Sequence, residues 1–199
     1  MWTHRSIGYC LEGRGLYQES IVSFKESIEI ASNVPYLSEH HTLGATYVAL
    51  ARVLNKEKRL DDQLAELIKA QAIFSKPSKQ ASADTLADTS DLYHPHDAHP
   101  HDALACVIGD EACYNSVSAQ SDHAEVEKEL GNFFFDKGEE PTDDPHLQEL
   151  EEASSRALEH YTRALSLYRQ VFGDGHPKTA RALWGLGIVQ KQVTYADVC

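Results

Sequence analysis

Cysteine is scarce in this sequence, and Cys10, Cys106, Cys113 and Cys199 are scattered without a CxxC spacing. A disulfide framework is therefore not expected, and a reducing, cytoplasmic setting is the default. No run of 18 apolar residues occurs, so no membrane-spanning helix and no membrane partner are expected. The opening Met1-Trp2-Thr3-His4-Arg5 lacks the apolar core of a secretory signal. Basic residues are outnumbered, 18 against 31 acidic, and nucleic acid is a poor partner for most of such a chain. Catalytic signatures are missing too: no GxSxG, no P-loop, no GxGxxG after a strand and no HExxH. Neither an enzyme nor a cofactor site is expected.

What the chain does contain is a repeating pattern of helices. Ile7, Gly8 and Leu11 lie on one helical face; Gly13 and Gly15 break it; Tyr17, Ser20, Phe24, Ser27 and Ile28 share the face of a second helix. Residues 43 positions later, Leu50, Ala51, Leu54, Leu60, Gln63, Leu67 and Ala70, repeat the pattern, with Gln63 the poor match. A third first helix spans Val126 to Lys137 with Leu130, Gly131 and Phe134. Its partner, with Ala157, Tyr161, Ala164 and Tyr168, comes about 14 residues late, so Glu139–Glu152 read as an insert. A final first helix carries Leu183, Leu186, Gly187 and Gln190. Leu130 to Leu186 is 56 residues, and removing the 14 leaves 42, a second estimate of one period. Small residues sit where two helices of a hairpin approach, and one hairpin cannot bury its apolar face alone, so neighbours must stack. Tyr17, Phe24, Tyr161 and Tyr168 are expected to pack between helices, and Cys10 to be a small buried hydrophobe.

On Gly8, Tyr17, Phe24, Ala51, Ala70, Leu130-Gly131, Tyr161, Ala164 and Leu186-Gly187, the chain resembles the tetratricopeptide-repeat (TPR) family. The resemblance covers about two-thirds of it. Phe172-Gly173-Asp174-Gly175-His176-Pro177, followed by Thr179-Ala180-Arg181-Ala182-Leu183, resembles the kinesin-light-chain type of repeat. There a glycine closes the second helix and a His-Pro pair opens the next. The resemblance implies an all-α solenoid of antiparallel helix hairpins. It implies a non-catalytic adaptor or scaffold that binds a partner peptide or helix on its concave face. A cargo adaptor of a kinesin-type motor, with a cytoskeletal association, would be the most specific version. A regulatory or accessory segment of a larger protein or enzyme is the alternative.

The organisation expected is two hairpins in 1–75, a polar His/Pro-rich linker in 76–101, a degenerate helix in 102–121, and in 122–199 a hairpin with the acidic insert 139–152 and a final unpaired helix. Because that last helix has no partner, the chain reads as a fragment or short isoform. His94, His96, His99 and His101 alternate with prolines and read as linker, so no metal site is expected. The insert holds seven acidic residues and no Lys or Arg, whereas 153–199 holds six basic and three acidic. Glu127, Glu129 and Asp136 read as solvated helix positions.

The candidate peptide-binding residues are Lys128, Asn132, Arg181 and Trp184. Lys128 and Asn132 match the Lys/Asn spacing with which chaperone-binding family members hold a C-terminal carboxylate. Trp184-Gly185 stand where light-chain repeats have paired asparagines. Arg163, Arg169, Arg181 and Lys191 are expected to be exposed cations that favour acidic peptides or the chain's own insert.

Overall fold

The computed structural model describes residues 2–75, 117–138 and 147–196. The linker at 76–101 and most of the degenerate segment lie outside the described residues, as does 139–146. Seven helices, and no strand, occur among the described residues: α1 Trp2–Gly13, α2 Tyr17–Ser32, α3 His41–Lys56, α4 Leu60–Phe74, α5 Val117–Gly138, α6 Leu147–Phe172 and α7 Pro177–Ala196. The chain is an all-α solenoid. Each helix packs on the next, and the short turns after α1 and α3 force antiparallel hairpins.

The small residues do what their spacing implied. A side chain at Gly8 would come within 2.7 Å of the Phe24 ring, so α1 and α2 can close only on glycine. Ser20, fully buried, donates its hydroxyl to the Gly8 carbonyl at 2.8 Å. Its counterpart Gln63, the mismatch in the repeat, is buried just as deeply, as are Phe24 and Leu67, and Ser27 and Ala70. The 43-residue register therefore holds in three dimensions. Cys10 departs from expectation: it is exposed, because α1 has helices on one side only among the described residues.

Caps define the helix ends. His40, extended at φ −78° and ψ 140°, accepts the Thr42 N–H at its Nδ1 (3.2 Å) and opens α3. His176 does the same for Lys178 at the start of α7, again at 3.2 Å, and Pro177 follows it at the first turn. Gly173 ends α6 in the left-handed region at φ 77°, its N–H bonded to the Arg169 carbonyl.

The core is serial. Ile21 and Phe24 of α2 pack on Ala49, Leu50 and Val53 of α3. Leu67, Ala70 and Phe74 of α4 pack on Val126, Leu130 and Phe133 of α5. Ala124, Tyr168 and Ala182 join α5, α6 and α7. Each fully buried large side chain contributes about 2–3 kcal/mol.

The third hairpin is longer than its spacing implied. Helix α5 begins at Val117, and α6 runs 26 residues from Leu147, so the second part of the acidic insert is helix. Ala153, four residues before Ala157, is buried on the same face of α6. In α7 the packed face is Ala182, Gly185 and Val189, with Leu186 half-buried. Gly187 meets nothing within 4 Å, since no second helix lies across it among the described residues.

Candidate functional site

The first helices of successive hairpins touch one another, α1 to α3, α3 to α5 and α5 to α7, whereas no comparable contact joins α2, α4 and α6. A stack whose first helices alone meet is curved with those helices inside. On that inner face lies a groove of about 310 Å³. Helix α1 supplies Arg5 and Tyr9, α3 supplies Arg52, α5 supplies Asp122, Glu125 and Lys128, and α7 supplies Lys178 and Arg181. Five cations thus line one groove in a chain of net charge −13.

Two of the five are neutralised by the chain itself. Arg52 pairs with Glu12 at 3.0 Å. Lys128 lies 2.6 Å from Glu125 and 2.9 Å from Glu129. Burial disfavours the charged forms of Arg52 and Lys128, but their acids outweigh it and both pKa values rise. Burial likewise resists ionisation of Glu125, yet Lys128 and the Tyr168 hydroxyl, 2.5 Å away, hold its carboxyl below the usual range. Asp122 faces His41 Nδ1 at 3.1 Å.

The other three cations differ. Arg5 hydrogen-bonds the Tyr9 hydroxyl (3.3 Å), and its Nε is buried with no acceptor. Lys178 donates to the Ser121 hydroxyl (2.7 Å) and stands 5.3 Å from the Phe172 ring centroid. Arg181 is exposed. Among the described residues no carboxylate lies within ion-pair distance of any of the three.

Of the four residues that sequence pointed to, the groove brings together Lys128 and Arg181. Asn132 is committed elsewhere: its amide donates to Glu129 (3.0 Å) and accepts the Tyr161 hydroxyl (2.5 Å). Trp184 is 72% exposed, beside the groove and not in its lining. It shares the face of Lys178 and Arg181, each three residues apart along α7. Arg163 pairs with Glu159, and Arg169 with Asp174 at 2.7 Å, both away from the groove. Sequence reasoning missed Arg5 and Lys178. The register could have found Arg5, since 43 residues separate it from Val48, another groove residue.

Behind the groove, Glu127 and Glu129 are buried, 2% and 8% exposed, where solvated positions were expected. Glu127 Oε1 accepts from Gln71 of α4 (3.0 Å) and its Oε2 lies 2.8 Å from His160 Nδ1 of α6. His123, one turn earlier, is 3.8 Å away. Burial opposes its charge, but hydrogen bonds from His123, His160 and Gln71 prevail and lower its pKa strongly. His123 stacks on Phe74 and His160 on Phe134, with ring planes 4° and 3° apart, which fixes both imidazoles. One carboxylate therefore joins three helices across the seam between the second and third hairpins.

A family model for the tetratricopeptide repeat matches residues 150–193, most of α6 and α7. No curated protein matches the chain. The C-terminal helices thus carry a TPR-type repeat, and such repeats serve generally in protein interaction. Among the described residues no helix is long and apolar enough to cross a membrane.

Proposed function

We propose that this chain is a non-catalytic interaction scaffold that takes an acidic peptide segment of a protein partner into the groove between α1, α3, α5 and α7. The observation that carries this is the trio Arg5, Lys178 and Arg181, cations on one concave face with no carboxylate within ion-pair distance among the described residues. Lys128 adds no net charge to the groove, since Glu125 and Glu129 hold it, and Asn132 serves the hairpin. Exposed Trp184, one turn beyond Arg181, offers an apolar anchor for a flanking hydrophobic residue of the ligand.

The repeated histidine cap at His40 and His176 and the 43-residue spacing support the light-chain type of repeat. On that reading the chain is a cargo-type adaptor of the cytoplasm, which suits the free thiol of Cys10.

The test is fluorescence anisotropy with the full chain and a labelled peptide rich in Asp and Glu, beside a Lys-substituted control. The acidic peptide should bind, weaken as salt rises from 50 to 300 mM, and lose about tenfold in affinity with Arg181→Glu. Equal binding of both peptides, or affinity indifferent to salt and to Arg181→Glu, would remove the proposal.

A further inference from the structure

We propose that the face of α7 turned away from α6 is a second binding surface. It takes an amphipathic helix of another protein, with an aromatic residue on its apolar side and acids on its flanks. This surface is separate from the groove and does not depend on what the groove holds.

The register defines the face. His4 of α1, Tyr47 of α3 and Glu127 of α5 occupy one place in successive first helices, and each reaches its own second helix. His4 Nδ1 lies 2.8 Å from Glu26 of α2, and Glu127 Oε2 lies 2.8 Å from His160 of α6. The Lys69 ammonium of α4 stands 5.7 Å from the Tyr47 ring centroid. Four residues further on come Gly8, Ala51 and Gly131, where the second helix makes its closest approach. A Cβ would stand 2.7 Å from the Phe24 ring at Gly8 and 3.0 Å from the Tyr161 ring at Gly131, and Ala51 packs with Leu67. On α7 these two places are Leu183 and Gly187, each 56 residues beyond its counterpart on α5. Leu183 is 39% exposed, and nothing lies within 4 Å of a Cβ at Gly187. Gly185 lies under the Tyr161 ring, so α6 occupies the other side of α7. What a second helix covers in three hairpins is therefore open on α7 among the described residues.

The occupant follows from what covers those places elsewhere. It is a helix, because the face continues an interface that α2, α4 and α6 already make in turn. It carries a ring or a large apolar side chain, because Phe24, Leu67 and Tyr161 fill the place over Gly8, Ala51 and Gly131. Glycine is unfavourable inside an exposed helix, and a side chain seated over Gly187 offsets that. Exposed Ala180 and Leu183 extend the apolar strip along the same side. Charge sets the flanks. Within Pro177–Ala196, Lys178, Arg181 and Lys191 are basic and no residue is acidic. Acids beside the apolar side of the incoming helix complement them, whereas the α7 of a second copy would set cations against cations. The mode is a helix laid on a helical surface by an apolar stripe.

The probe is a synthetic peptide of the chain's own residues 153–172 carrying Arg156→Glu, Arg163→Glu and Arg169→Glu, which keeps Tyr161 on its apolar side. The unaltered 153–172 peptide and the acidic peptide with Tyr161→Ser are the controls. In fluorescence anisotropy with the full chain, the acidic peptide should bind about tenfold tighter than either control. Gly187→Leu in the chain fills the notch and should weaken binding by about tenfold. That position is open to space, so the variant keeps its fold, which circular dichroism verifies. No binding, or binding that Gly187→Leu leaves unchanged, would overturn the proposal. Binding lost with Arg181→Glu and kept with Gly187→Leu would put the peptide in the groove instead. Equal binding of the acidic and unaltered peptides would overturn the acidic flanks. Sedimentation equilibrium of the chain alone tests the other occupant: a dimer that Gly187→Leu dissociates would overturn the partner helix and give the face to a second copy.

Discussion

Gly15 and Lys58 occupy the same backbone place in successive hairpins, each the left-handed residue that closes a first helix, at φ 75° and 61°. The bonds around them repeat as well. Leu16 N–H reaches the Leu11 carbonyl and Gly15 N–H that of Glu12; Arg59 N–H reaches Leu54 and Lys58 N–H reaches Asn55. The two turns are one Schellman motif, 43 residues apart, and the second carries a Cβ that the first lacks.

Lys58 is the only non-glycine residue in that region among those described, and its Cβ costs about 1 kcal/mol there. Lys58→Gly should stabilise the chain by somewhat less than that, since glycine also loosens the unfolded state. Gly15→Ala should destabilise by about 1 kcal/mol. Chemical denaturation followed at 222 nm measures both, and a fall in stability with Lys58→Gly would contradict the cap assignment.

Gly185→Ala should cost about 1–3 kcal/mol, because the added methyl would overlap the Tyr161 ring. Gly187→Ala, two residues on and open to space, should be neutral or slightly stabilising. Comparing the two midpoints under one condition separates a packing effect from helix propensity.

Glu127→Ala should lower stability by about 3 kcal/mol, since it leaves Gln71 and His160 without their buried acceptor. Glu127→Gln, which keeps one acceptor oxygen, should lose less. Hydrogen exchange in α4 and α6 provides the local readout: protection should fall in both helices, although only α5 is altered.

Acid should weaken the fold in two steps. Burial and neighbouring His41 depress the His40 pKa from its ordinary 6.5 to about 4, against the opposing pull of Asp122. A depressed folded value means that the unfolded chain binds the proton first, so stability falls as pH drops from about 6.5 to about 4. Glu127, also depressed when folded, adds its loss as pH falls below its ordinary 4.5. His40→Asn retains a cap and cannot titrate, so its melting temperature should be flatter than the parent's between pH 6.5 and 4. Parallel curves would assign the upper step to another group.

The fold was legible because its signals are local. Gly8, Phe24, Ala51, Leu67 and Tyr161 announce close helix approaches by size and spacing, and Gly173-His176-Pro177 punctuate a turn by their own backbone chemistry. Glu127 was not legible. Its partners lie 56 and 33 residues away, and a glutamate in Glu125-Val126-Glu127-Lys128-Glu129 has the same local pattern whether it faces water or His160. Gln63 misled for a related reason: the repeat conserves burial at that place, not chemistry, so a long polar side chain stands where serine stood. In the groove, Lys128 was found and its role was not, because spacing cannot reveal that Glu125 and Glu129 already hold its charge.

Tyr161 lies under glycines of two different helices, Gly131 of its own hairpin and Gly185 of the next. One ring is therefore a gauge block for two gaps. A smaller side chain there would let α5 and α7 settle toward α6 together, and the curvature of the whole array would change with them. Arg5 and Arg181, at opposite ends of the concave face, would shift relative to each other without a single groove residue having been altered. Residue 161 is in this sense a remote setting for the aperture, and variation at a buried tyrosine can retune what the surface accepts.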